Sequence, residues 1–74
     1  MAYDYSKLNG RIVEKYGTKG KFAAALGLSE HSLSKKLTGQ THFKQPEISR
    51  SCELLDIPDA NVHEYFFTLK VQSN

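Results

Sequence analysis

The chain has 74 residues, with 10 Lys and Arg against 8 Asp and Glu; that length holds one domain over residues 1–74 and no second core. Its single cysteine, Cys52, excludes a disulfide framework and a cysteine-rich zinc site, and no apolar run approaches the roughly 20 residues that cross a bilayer. The net charge of +2 is unevenly spread: residues 18–45 hold five lysines against Glu30, net +4, while residues 46–74 hold two cations against five acids, net −3.

The elements follow in chain order. Tyr5, Leu8, Ile12 and Tyr16 recur at helical spacing and define one face of a first helix. Asp4 or Ser6 has the chemistry to cap its start, and Gly17 suits a left-handed turn past its end. Gly10 sits inside this helix at a cost of about 1 kcal/mol relative to alanine, which a close neighbouring backbone would explain. Thr18 caps a short second helix over residues 19–26, where Phe22, Ala23 and Leu26 face inward and Gly27 supplies the break. Ser29 caps a third helix anchored by Leu33 and Leu37 and ended by Gly39.

Residues 40–45 are polar apart from Phe43 and read as a loop. Pro46 suits the first turn of a fourth helix with Ile48, Cys52 and Leu55 on its buried side. That spacing makes Cys52 a core residue. Asp59 can cap a last short helix containing Val62, Tyr65 and Phe66. Phe67, Leu69 and Val71 alternate, which predicts an extended tail over residues 68–74. Of Tyr65, Phe66 and Phe67, either all three complete the core, or Phe67, with Leu69 and Val71, forms a contact surface for self-association.

The order helix, three-residue turn, helix over residues 18–39 places Ala23 where two helices cross closely. Gly27 falls at the turn, and Leu33 closes the small core between the helices. On these residues the chain resembles the λ-repressor-like helix-turn-helix family of phage repressors and Cro proteins. The likeness runs without a gap over residues 19–39, and the flanking helices fit residues 5–67. One departure is Lys36, where the family often has an apolar residue; the apolar anchor falls on Leu37. The opening MAYDYSKLNGRI and the ending EYFFTLKVQ are similar to those of small Cro-like phage proteins encoded beside a repressor, the group that includes the modulators of repression of lactococcal temperate phages. The resemblance implies an all-α, five-helix domain working in the cytoplasm of a bacterial host, where it takes part in the choice between lysogeny and lytic growth.

It also implies a recognition surface. In this fold the third helix presents its N-terminal turn to the major groove, while the second crosses the backbone. Carried onto this sequence, Glu30, His31, Ser32 and Lys35 face the bases, and Thr18, Lys19, Thr41, His42 and Lys44 face phosphates. His31 and Ser32 can donate to or accept from base edges, and Lys35 can donate to guanine. The plain alternative for His31 and His42 is a solvated surface histidine; for His63, beside Glu64, that is the better reading. Glu30 suits a helix start through the helix dipole, yet as a DNA contact it would face dense phosphate charge.

Nothing in the sequence arranges a catalytic constellation, a metal site, a cofactor site or a small-molecule pocket, so an enzyme is not expected. Two function classes stand. The first is a Cro-type regulator that docks as a homodimer on double-stranded operator DNA. The second is an antirepressor that binds the helix-turn-helix domain of the cognate phage repressor. The basic middle third favours the first, through attraction to a polyanion; Glu30 and the acidic final third favour the second. Lys35 and Lys36 would then meet acidic partners or stay at a solvated rim.

Overall fold

The computed structural model describes residues 3–70. Five α-helices follow one another: α1 (Ser6–Tyr16), α2 (Lys19–Leu26), α3 (Glu30–Leu37), α4 (Gln45–Leu55) and α5 (Val62–Phe66), with one turn of 3-10 helix, Asp59–Asn61, leading into α5. The all-α class is as the apolar spacing predicts. Val71 and the rest of the expected tail past Lys70 lie outside the described residues.

Local chemistry sets most of the boundaries. Asp4 Oδ1 accepts from the Ser6 backbone N–H at 2.8 Å and from the Ser6 hydroxyl at 2.6 Å, so the α1 cap is Asp4, one residue ahead of the N-cap position at Tyr5. Thr18 Oγ1 accepts from Lys21 N–H at 3.2 Å, and Ser29 Oγ accepts from Ser32 N–H at 3.1 Å. Each hydroxyl satisfies one of the four N–H groups that a helix start leaves unpaired. Gly27 ends α2 in the left-handed region at φ 85°, and its N–H reaches back to the Ala23 and Ala24 carbonyls. Asp56 ends α4 at φ 53°, a conformation that non-glycine residues seldom adopt. Lys15 on α1 pairs with its carboxylate, and Arg11 Nε donates to the Leu55 carbonyl at 2.8 Å, so this strained end is tied to α1 from two sides.

The core is one cluster: Leu8 and Ile12 of α1, Phe22 and Ala23 of α2, Leu33 and Leu37 of α3, Cys52 and Leu55 of α4, then Ile57 and Phe66, with Tyr5 at its edge. α2 lies at the centre, packed on α1, α3 and α4. Phe43 belongs to this core although its surroundings in sequence are polar. Its ring meets Tyr5 and Phe66 edge-on at 5.4 and 5.3 Å, a preferred aromatic geometry.

Pro46 does stand in the first turn of the fourth helix, at its second position, after Gln45. Several expectations are corrected. Asp59 lies inside the 3-10 turn and makes no cap. A Cβ at Gly10 would meet no atom within 4 Å, so no neighbouring backbone explains that glycine. Tyr65, Phe66 and Phe67 divide: Phe66 is buried, Tyr65 half-buried, and Phe67 is 38% exposed, its ring edge-on to Tyr3. The extended end is limited, within the described residues, to one antiparallel bridge between Tyr3 and Leu69, supported by the Asp4 N–H bond to the Thr68 carbonyl.

Candidate functional site

The residues singled out in the sequence fall into two groups joined by α3. The first gathers where the starts of α2 and α3 approach. Thr18 and Lys19 are exposed at the beginning of α2, and Glu30 and His31 at the beginning of α3. Gly20 connects the two: a Cβ built there would lie 2.9 Å from Glu30 Oε1 and 4.0 Å from Thr18 Oγ1. The Glu30 carboxylate therefore rests over the first turn of α2, in space that only glycine leaves open. Ser32 is half-buried, and its Oγ accepts from the Ser29 hydroxyl at 3.0 Å, so part of its capacity is spent within the cap. His31 makes no hydrogen bond or ion pair among the described residues.

The second group lies past the end of α3. The Lys35 carbonyl accepts from Gln40 N–H at 2.9 Å and Thr41 N–H at 3.3 Å, which folds the chain back beneath the helix end. Thr41, His42 and Lys44 are exposed along this loop. Lys19, Lys21, Lys35 and Lys44 have no ion-pair partner among the described residues, so their charge is available to a polyanion or an acidic protein surface.

Lys36 corrects the sequence reading. Instead of standing at a solvated rim, it is 8% exposed. Its Nζ donates to the His42 carbonyl at 2.9 Å and lies 3.1 Å from Glu47 Oε1. Glu47, at the third position of α4, reaches back to accept from Lys44 N–H at 2.8 Å. Burial pushes the Glu47 carboxyl upward, but the Lys44 N–H and the Lys36 ammonium together outweigh it and hold the group below its ordinary range. Sequence reasoning missed this pair. A glutamate three residues after a helix start was the available signal, masked because lysine, not serine or threonine, occupies the cap.

A groove of about 470 Å³ lies elsewhere, between α4 and α5, floored by Ile48, Cys52, Ile57, Val62 and Phe67. None of the residues singled out for recognition lines it. Among the described residues no three His, Cys, Asp or Glu side chains gather as metal ligands, and no helix is long and apolar enough to cross a membrane.

A family model described as "Protein of unknown function (DUF739)" matches residues 1–69. No curated protein matches the chain. Among solved structures, the chain is similar to the modulator of repression (MOR) of the temperate bacteriophage TP901-1 from Lactococcus lactis, determined in solution. The two are 43% identical, the match covers 97% of each chain, and the TM-score is 0.80.

Proposed function

The chain belongs to the DUF739 family, and from that premise and the geometry of the α2–α3 face we propose that it is a phage modulator of repression acting as an antirepressor. In this reading α2 and α3 form a helix-turn-helix of the λ-repressor type. Their exposed face docks on the helix-turn-helix domain of the cognate repressor and blocks or modifies its hold on the operator. The protein is a binding module, not an enzyme, and works in the host cytoplasm beside its partner. Likeness to a phage modulator of repression over nearly the whole chain supports the regulatory role.

The observation that carries the antirepressor reading is the position of Glu30. A phosphate approaching the first turn of α2 would seek its free N–H groups and its positive dipole end. The Glu30 carboxylate already lies there, against Gly20. It weakens the place for a phosphate and offers an anion to a cationic protein surface. A repressor's DNA-reading surface must be cationic to hold phosphates, so Glu30 is complementary to it at that point. Lys19, Lys21, Lys35 and Lys44 meet acidic groups of the partner or stay at the solvated rim.

Direct operator binding in the Cro manner is the second reading, favoured by Lys19, Lys21, Lys35 and Lys44, which stand without ion-pair partners among the described residues. Calorimetric titration of the protein into the cognate repressor, and separately into operator DNA, tests both. Binding to repressor with release of operator supports the antirepressor. Binding to operator alone, weakened in Lys19→Gln/Lys44→Gln with a salt slope shallower by roughly one unit per lost phosphate contact, supports the second.

A further inference from the structure

Lys36 and Glu47 form the most buried ion pair among the described residues, with side chains 10% and 16% exposed. Stability alone does not account for such a pair, because apolar residues of similar volume serve a buried position as well or better. An apolar pair, however, could not bind the loop between α3 and α4. The Lys36 ammonium holds the His42 carbonyl, and the Glu47 carboxylate holds the Lys44 N–H. One ion pair thus fixes both sides of residues 42–44, while Thr41 hangs from the Lys35 carbonyl.

We propose that Lys36 and Glu47 are positioning residues that pre-form the residue 41–44 loop as the second half of the surface that meets the repressor. The Glu30 end supplies the charge, and the pinned loop supplies a fixed shape. Binding then orders no loop, and affinity is higher by what that ordering would cost. This rests on the antirepressor reading.

The test is a Lys36→Met/Glu47→Leu double variant of the full chain, titrated into the cognate repressor by calorimetry, beside a thermal melt and amide hydrogen exchange. The expected result is a melting temperature at or above the parent's, faster exchange at the Lys44 N–H, and affinity weaker by roughly tenfold, the order of effect of mobilising a few interface residues. Glu47→Gln, whose amide oxygen still accepts from Lys44 N–H, should restore most of the affinity. Because the double variant could fail to fold, Thr41→Ala/His42→Ala is measured as well: both side chains are exposed, so the fold survives, and affinity should fall several-fold. Parental affinity in the folded double variant, or in Thr41→Ala/His42→Ala, overturns the positioning role. A parent that does not bind the repressor at all overturns the antirepressor reading itself.

Discussion

The carboxylate of Glu30, the first residue of α3, lies against Gly20, the second residue of α2, with Oε1 2.9 Å from where a Cβ would stand. That glycine has no positive φ and no turn to make. Its missing side chain is explained by what occupies the space.

Gly20→Ala separates two effects of this contact. Alanine favours a helix over glycine by up to about 1 kcal/mol. The displaced group is the far end of a flexible side chain, which can swing into solvent at little cost. The expected outcome is a melting temperature unchanged or raised by a few degrees, together with altered repressor affinity, since the carboxylate has moved. A lowered melting temperature in a calorimetric scan would show instead that Glu30 is held rigidly in place.

Ala23 is 1% exposed on α2, the helix enclosed by α1, α3 and α4. Replacement by leucine adds three carbons where close packing leaves no void. Ala23→Leu should destabilise by about 1–3 kcal/mol through overpacking. A chemical denaturation curve coincident with the parent's would remove Ala23 from the helix contact at this register.

The local rules read most of this fold correctly from sequence. Thr18, Ser29 and Gly27 set the bounds of α2 and α3, and each acts through short-range hydrogen bonds that spacing alone predicts. The failures lie where distant residues decide. Phe43 stands in a polar run, yet Tyr5 and Phe66 enclose it. Lys36 reads as a surface charge until Glu47, eleven positions on, is folded beside it. Gly20 shows no signal at all until Glu30 arrives over it. For the candidate face, therefore, sequence showed neither of the two contacts that shape it, Glu30 over Gly20 and Lys36 with Glu47.

Acid should loosen the α3–α4 connection through Glu47. Its folded pKa is lowered from the ordinary glutamate value of 4.5, so its contribution is fully present above about that pH and is lost as pH falls through the lower, folded value. Asp4, Asp56 and Glu64 are also held below their ordinary ranges by hydrogen bonds, from Ser6, Lys15 and Lys7 respectively, and act in the same direction. Stability measured by denaturant titration should be flat from neutrality to about pH 5 and decline below it. Glu47→Gln should make that decline shallower. An identical acid limb in the variant would show that Glu47 takes no part.

Reversing the charge of Glu30 distinguishes the two functions directly. The residue is exposed and makes no ion pair among the described residues, so a substitution there leaves the core intact. Its side-chain oxygen takes no part in capping α3, which is the work of Ser29. The structural loss in Glu30→Lys is then confined to an unfavourable cation at a helix start, about 0.3–1 kcal/mol. Against a cationic repressor surface the same change turns an attraction into a repulsion, and close charge pairs at such interfaces couple by about 1.5 kcal/mol or more. Against DNA it adds a cation beside phosphates, so operator binding would stay equal or strengthen. Glu30→Lys should therefore melt within a few degrees of the parent, bind the repressor at least about tenfold more weakly, and bind operator DNA no less well. Calorimetry giving equal repressor affinity for the variant and the parent would remove Glu30 from the interface and leave the DNA-reading alternative in the stronger position.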